Sequence, residues 1–142
     1  DRSHFQATGE TINKVRLQLF FGNGQKSLEI IRNWSVKKME QQPQNSAGCI
    51  FQNISETTQK RLGLPSTSWG YIIDKVLRLK GRQIGGAAIS KQHAAFIVNK
   101  NGRAKARDIL GLIALIKSKS KHKIGIVPKL EIRLLGFGNK DE

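Results

Sequence analysis

The chain has 142 residues and a mass of 15.9 kDa, a size that fits one domain with its own core. Its one cysteine excludes an internal disulfide framework and is typical of a reducing cytoplasm, and no apolar run approaches the roughly 18 residues of a membrane-spanning helix. The 25 basic and 10 acidic residues give a net charge of +15, which favours anionic partners such as nucleic acid, an anionic membrane or a phosphorylated ligand.

The first third of the chain predicts a strand, a helix and an extended segment. Residues 11–21 alternate apolar and polar side chains, which is the pattern of a half-buried strand, and Gly22 begins a turn after it. Residues 25–40 carry apolar side chains at helical spacing. Pro43 prevents the helix from continuing, and a short strand is expected at 49–52.

The rest of the chain predicts helices and strands in alternation. One helical turn is expected at 57–62 and a longer helix at 69–79, followed by a strand at 94–99. Residues 104–121 form the clearest helical pattern, and 124–135 predict a last strand whose early proline implies an edge position or a bulge. These elements together predict a single α+β domain, with a mixed, mostly antiparallel sheet of about four strands and about three helices.

Two further patterns allow both a structural and a functional interpretation. Gly85-Gly86 lies in a glycine-rich stretch but lacks the strand–GxGxxG–helix context of a dinucleotide site, so close backbone packing is favoured over a phosphate cradle. The lysine-rich residues 117–123 end a predicted helix, where cations are favourable, so a solvated helix end is favoured over a docking patch. No group of residues indicates a metal site.

Cys49 and Glu131 are unusual choices for the apolar segments in which they lie. Free cysteine is often buried simply as a small hydrophobic residue, so Cys49 alone is weak evidence of a site. A carboxylate on an apolar strand is expected to have a pKa raised by desolvation, as an acid catalyst needs. The structural alternative for Glu131 is an ion pair with a lysine or an arginine.

Several sequence blocks follow one another in a defined order through the last two thirds of the chain. They are Ser46-Ala47-Gly48-Cys49-Ile50-Phe51-Gln52-Asn53, Leu79-Lys80-Gly81, Gly85-Gly86-Ala87, residues 90–99, Asp108-Ile109-Leu110 and Glu131-Ile132-Arg133. This order resembles the C-terminal substrate-binding domain of UDP-N-acetylenolpyruvoylglucosamine reductase, an FAD enzyme of bacterial peptidoglycan precursor synthesis. The resemblance implies that hydride from FAD, which NADPH reduces, is added to the enolpyruvyl double bond of a UDP-sugar, and that the neighbouring carbon is protonated.

The resemblance implies catalytic roles for three residues. Cys49 stands where the family has a serine or cysteine proton donor, and Glu131 matches a glutamate that stabilises or protonates the enol intermediate. Arg2 matches, one position out of register, an arginine that is catalytic in the family. A thiol with its usual pKa of about 8.5 is mostly protonated at neutral pH, but the net charge of +15 favours the thiolate. If Cys49 is the proton donor, its surroundings must therefore keep the thiol protonated.

The same resemblance implies substrate contacts from Asn53, His93 and Gln52. Asn53 closes the block that contains Cys49, and His93 occupies a position often held by a polar, ligand-facing residue. Gln52 stands where the family usually has a lysine, so one cation near the substrate is missing. A polar side chain that caps a turn is the structural alternative for Asn53 and for His93. Cationic side chains near the site would suit the diphosphate of a UDP-sugar.

The resemblance also predicts the domain organisation and the partners. Residues 1–45 are expected to hold the end of the flavin-domain segment with a connecting strand and helix, and residues 46–142 the substrate-binding region. FAD and NADPH are expected to act in the full-length enzyme of the bacterial cytoplasm on UDP-N-acetylglucosamine enolpyruvate. The expected partner of this chain is the N-terminal flavin-binding part of the family's enzymes. The chain alone is expected to bind neither cofactor and to be inactive.

Two alternatives stay open on the sequence alone. A basic nucleic-acid-binding module would explain the net charge, but it needs aromatic side chains interleaved with Lys and Arg, and aromatic residues make up only 6% of the chain. Nucleic acid and membrane are therefore not the expected partners. A non-catalytic scaffold related to the reductase is the other alternative.

Overall fold

The computed structural model describes residues 3–136. Internal contacts divide the chain into two units, Asp1–Trp34 and Ser35–Glu142. A four-stranded antiparallel sheet lies in the second unit together with several helices, so the predicted α+β class is confirmed. The predicted boundary between residues 45 and 46 stays a prediction. No helix in the described part of the chain has the length and hydropathy needed to cross a membrane.

Helices occur where the sequence predicts them at 25–40, 57–62 and 104–121, whereas the helix predicted at 69–79 is shorter and a helix at 4–8 was not predicted. The helices among the described residues are α1 (His4–Thr8), α2 (Gly24–Gln41), α3 (Glu56–Arg61), α4 (Trp69–Tyr71) and α5 (Ala106–Ile124). A π-helical turn, Ile72–Val76, continues α4, and a 3-10 turn, Lys100–Gly102, precedes α5. The carboxylate of Asp108 caps the start of α5 by accepting a 3.0 Å hydrogen bond from the N–H of Lys105. α5 ends at Ile124, and the φ of 72° at its C-cap Gly125 costs little for a residue without a Cβ.

The strand predicted for residues 11–21 is wrong. Between Gly9 and Asn23 the structure has neither helix nor strand, and the apolar side chains of this segment are exposed, that of Leu19 by 85%. The alternating pattern is that of a strand, but a strand needs a hydrogen-bonded neighbour, and no described strand pairs with this segment. α2 also exposes apolar side chains, including 69% of Trp34.

The sheet contains four short strands, two of which form a hairpin. They are β1 (Ser46–Cys49), β2 (Gln83–Ile84), β3 (Ala87–Ile89) and β4 (Phe96–Asn99), in the order β1-β4-β3-β2. β2 and β3 pair across Gly85-Gly86, and neither was expected because each is too short to show an alternating pattern. A Cβ on Gly86 would lie 2.4 Å from the backbone of Arg103 and Ala104. The predicted close backbone packing at this glycine pair is therefore confirmed.

The last predicted strand, at residues 124–135, is also wrong. α5 extends to Ile124, and the segment after it is irregular apart from an isolated antiparallel bridge between Leu130 and Phe51. Pro128 interrupts any ladder because proline has no N–H to donate. Apolar side chains of the segment nevertheless pack, partly buried, against the core.

The core lies between one face of the sheet and the helices. α5 packs on β2 and β3, and its amphipathic spacing directs its apolar side chains to that side. The buried apolar residues include Trp69, Ile72, Ile73, Ile89, Ile97, Leu112, Ile113 and Ile116. Because side chains alternate along a strand, Phe96 lies on the opposite face of β4 from Ile97, and it is buried there as well.

Candidate active site

Cys49 ends β1 at an irregularity in the sheet. Ser46 pairs with Val98, whereas Cys49 pairs with Phe96. β1 therefore has one residue more than β4 between the two pairs, which makes a β-bulge. Gly48 has a φ of 93°, a conformation that favours glycine, and this explains the glycine directly before the cysteine. Bulges change the direction of a side chain and are common beside active sites.

Glu131 comes close to Cys49 through the segment that follows α5. The N–H of Glu131 donates a 2.8 Å hydrogen bond to the carbonyl of Ile50, and the N–H of Gln52 donates a 2.9 Å bond to the carbonyl of Lys129. These two bonds form the antiparallel bridge that carries Glu131 to the end of β1. A thiol and a carboxylate that are far apart in the sequence are thus brought into one neighbourhood.

The surroundings of Cys49 raise the pKa of its thiol. Burial is the larger cause, because it removes water from the thiolate, and the negative charge of Glu131 adds to it. The thiol therefore keeps its proton at neutral pH despite the net charge of +15. A general acid needs this protonation state.

The prediction that Glu131 lies desolvated on an apolar strand is wrong. The residue is exposed, because the segment 126–136 pairs only with Phe51, beyond the end of β1, through an isolated bridge and does not form a strand with a covered face. Cys49 is half-buried. An exposed carboxylate next to a half-buried thiol can contact a ligand that lies over both.

His93 contacts the ring of Phe96, and Phe96 is the residue of β4 that pairs with Cys49 of β1. The ring centroids of His93 and Phe96 are 4.9 Å apart in an edge-to-face contact. The Nδ1 of His93 accepts a 3.3 Å hydrogen bond from the N–H of Ala95, so the neutral ring carries its proton on Nε2. A Cβ on Gly70 would lie 2.8 Å from this ring, and the glycine therefore makes space for it.

His93 also lines an open hollow of about 190 Å³. The other lining residues are Ser68, Gly70, Tyr71, Asp74, Lys75, Lys80, Gln92 and Ala94. Asp74 accepts a 3.1 Å hydrogen bond from Lys80, which is the main cause that lowers the pKa of Asp74, and the Nζ of Lys75 is 3.4 Å away. Both ammonium groups contact the same Asp74 carboxylate, so these three side chains leave one positive charge for an anionic ligand.

The other predicted site residues occupy different positions. Gln52 is exposed, and its Nε2 donates a 3.2 Å hydrogen bond to the carbonyl of Leu130. Asn53 is exposed one residue further along. Arg2 lies outside the described residues. Gln52 therefore belongs to the same edge of the molecule as Glu131.

Phe96 and Gly70 position His93, although neither was identified from the sequence as part of a site. Phe96 follows His93 by three residues at the beginning of a strand. Gly70 lies in the first turn of a predicted helix, where glycine is less favourable than most residues. A glycine within a helical pattern often has a packing reason, and this was the signal that could have identified Gly70.

The described residues include no cluster suited to a metal ion, and the Gly85-Gly86 turn is not suited to a dinucleotide. No group of three or more His, Cys, Asp or Glu side chains among them is placed to hold a metal ion. At the Gly85-Gly86 turn, the N–H of Gly86 donates a 3.1 Å hydrogen bond to the carboxylate of Asp108. Backbone hydrogen bonds, that of Lys105 first, lower the pKa of Asp108, so a phosphate here would meet a negative charge. The turn does not fit a dinucleotide.

Comparison with known proteins relates the sequence to one family. A family model described as UDP-N-acetylenolpyruvoylglucosamine reductase, C-terminal domain, matches residues 39–135. A UDP-N-acetylenolpyruvoylglucosamine reductase from Chlamydia felis is 36% identical over 138 residues, which cover 96% of this chain and 42% of that protein. UDP-N-acetylenolpyruvoylglucosamine reductase 1 from Bacillus cereus is 35% identical over 125 residues, which cover 87% of this chain and 38% of that protein.

The fold agrees with the sequence comparison. The crystal structure of UDP-N-acetylenolpyruvylglucosamine reductase from Thermus caldophilus matches with a TM-score of 0.60 and 30% identity, over 83% of this chain and 38% of that chain. The chain thus spans between 38% and 42% of the length of these relatives. The chain belongs to the UDP-N-acetylenolpyruvoylglucosamine reductase family, of which residues 39–135 match the C-terminal domain.

Proposed function

We propose that this chain is the C-terminal, substrate-binding part of a reductase of the bacterial cytoplasm. The enzyme would convert UDP-N-acetylglucosamine enolpyruvate into UDP-N-acetylmuramate in peptidoglycan precursor synthesis. The observation that carries the proposal is the position of Glu131 next to the half-buried thiol of Cys49, whose pKa is raised. Membership of the family supports the class of reaction.

The cofactors are assigned to other parts of the full-length enzyme. FAD reduced by NADPH would supply the hydride, but the Gly85-Gly86 turn does not fit a dinucleotide. Exposed apolar side chains before and on α2 support a further protein part that covers them. They include Ile12, Val15, Leu17, Leu19, Phe20, Phe21, Leu28 and Ile31.

Cys49 would be the proton donor. Reduction of a carbon–carbon double bond adds a hydride to one carbon and a proton to the other. The S–H bond of Cys49 would break as the new C–H bond forms, its electron pair would stay on sulfur, and water would later restore the proton. The raised pKa keeps the proton on the thiol until the carbon accepts it. Glu131 would face the same carbon and stabilise or protonate the enol intermediate.

Other polar side chains would hold the sugar nucleotide. His93 offers its Nε2, and Lys75 and Lys80 in the same hollow suit the diphosphate. Asn53 offers an exposed amide. The Nε2 of Gln52 donates one of its two hydrogens to the carbonyl of Leu130, which leaves its second N–H and its Oε1 for the ligand. Arg2 stays a candidate catalytic arginine on the resemblance alone.

A Cys49→Ala variant of the full-length enzyme tests the proposal. NADPH should still reduce the flavin at the wild-type rate, because that half-reaction does not use the thiol. Turnover of UDP-N-acetylglucosamine enolpyruvate should fall by about 10²–10⁴-fold. Cys49→Ser is the matched control, since a hydroxyl at the same position can donate a proton and should retain more activity than alanine. Wild-type turnover in Cys49→Ala would remove Cys49 from the mechanism.

A further inference from the structure

Few interactions determine the position of Glu131. The segment 126–136 contains no strand, and its bridge to Phe51 is isolated. Leu130 and Ile132, on either side of Glu131, are partly buried against the core, whereas Glu131 itself is exposed. The position of the backbone from which its carboxylate projects therefore depends on the hydrogen bonds and apolar contacts of the neighbouring residues.

Gln52 makes two of these hydrogen bonds. Its N–H donates to the carbonyl of Lys129 at 2.9 Å, and its Nε2 donates to the carbonyl of Leu130 at 3.2 Å. Any residue except proline could make the first bond, because it needs only a backbone N–H. The second bond needs a side-chain donor of suitable length, and it holds the carbonyl of the residue directly before Glu131.

We propose that Gln52 is a positioning residue, whose side-chain amide holds the Leu130 carbonyl and so keeps the Glu131 carboxylate next to Cys49. The segment needs such a bond because it has no strand ladder to fix its direction. The catalytic meaning of this role rests on the function proposed above. The role is separate from any contact between the Oε1 of Gln52 and the sugar nucleotide.

The thiol of Cys49 can report the position of Glu131. Cys49 is the only cysteine of the chain, and the thiolate is the form that an alkylating reagent attacks. The rate of alkylation by iodoacetamide would be measured against pH in the 142-residue chain. The variants are Gln52→Ala, Glu131→Gln and the combination of the two, with Gln52→Met as a second variant that keeps the length of the side chain but has no donor.

The expected order of rates follows from the charge of Glu131. Glu131→Gln should increase the rate at a fixed pH near neutrality by about twofold, because the carboxylate no longer disfavours the thiolate. Gln52→Ala and Gln52→Met should give a smaller increase in the same direction. The combined variant should match Glu131→Gln alone, since a positioning residue has no effect once the charge it positions is gone.

Gln59 provides a matched control. Its Nε2 donates a 2.9 Å hydrogen bond to the carbonyl of Leu64, which is the same type of bond, but it does not hold the segment of Glu131. Gln59→Ala should leave the alkylation profile of Cys49 unchanged. In hydrogen exchange, the N–H of Glu131 should exchange faster in Gln52→Ala than in Gln59→Ala.

Three results would overturn the inference. The first is an alkylation profile of Cys49 that neither Gln52 variant changes. The second is a Gln52→Ala substitution that increases the alkylation rate by the same factor in the Glu131→Gln protein as in the wild type. The third is an alkylation profile that Glu131→Gln does not change. None of these measurements uses turnover. Failure of the positioning role is therefore distinguishable from failure of the proposed reaction, which the Cys49→Ala enzyme tests.

Discussion

The N–H of Glu131 and the carbonyl of Ile50 form a 2.8 Å hydrogen bond. Because Ile50 directly follows Cys49, this backbone bond joins the segment after α5 to the strand end that carries the thiol. It has an electrostatic consequence, since the carboxylate of Glu131 helps to raise the pKa of the Cys49 thiol.

Cys49 should react slowly with alkylating reagents at neutral pH. Burial first, and then the charge of Glu131, raise the pKa of its thiol, so less thiolate is present than in a thiol with the usual pKa of about 8.5. The alkylation rate of the native chain should rise at a higher pH than that of the chain unfolded in urea. Identical pH profiles for the two states would contradict this prediction.

The same pKa shift predicts how stability depends on alkaline pH. The native state binds the thiol proton more tightly than the unfolded state does, so the contribution is fully present below the unfolded pKa. It should be lost as the pH rises through the higher, folded pKa. Urea unfolding across this pH range measures the free energy of unfolding of the wild type and of Cys49→Ala. The advantage of the wild type over the variant should decrease as the pH increases.

Asp108→Asn should lower the unfolding temperature at pH 7. The carboxylate of Asp108 accepts hydrogen bonds from the N–H groups of Lys105 and Gly86, and these bonds lower its pKa. The stabilisation is present above the unfolded pKa of about 3.9 and is lost as the pH falls through the lower, folded pKa. The difference in unfolding temperature between the two proteins should therefore shrink in acid. A difference that stays constant down to about pH 2 would contradict the role of the charge.

Arg78→Gly should stabilise the chain. Arg78 is exposed and has a φ of 56° directly after Leu77, the C-cap of the π-helical turn, and glycine has the least steric cost in this conformation. Removing the Cβ should raise the free energy of unfolding by about 0.5–1 kcal/mol, after the larger unfolded-state entropy of glycine is subtracted. Arg78→Ala is the control, because it removes the charge but keeps the Cβ, and thermal unfolding should show no gain for it.

Gly86→Ala should destabilise the chain by about 1–3 kcal/mol or more. A Cβ at this position would lie 2.4 Å from the backbone of Arg103 and Ala104, and backbone atoms cannot move aside as a flexible side chain can. Gly22→Ala serves as the control, since a Cβ there meets nothing within 4 Å. Urea unfolding curves compare the two, and equal stabilities would show that the turn has more space than the structure gives it.

The two wrong strands have a common physical origin. Residues 11–21 alternate apolar and polar side chains as a strand does, and residues 124–135 have the amino-acid composition of a strand. Such patterns indicate only that a segment would fit a pleated, half-buried surface. The first segment has no described neighbour to pair with, and the second contains Pro128 and pairs at an isolated bridge. The hairpin across Gly85-Gly86 went unpredicted for the opposite reason, because its strands are too short for a pattern.

The sequence by itself determined the positions of α2 and α5, because a helix of this length shows its apolar spacing and its ends locally. It also determined the family, through several blocks in a defined order. Only the tertiary structure decided that Glu131 is exposed, that Gln52 is bonded to the segment that carries it, and that the pKa of the Cys49 thiol is raised. These properties depend on hydrogen bonds and charges between residues far apart in the chain, and no local pattern contains them.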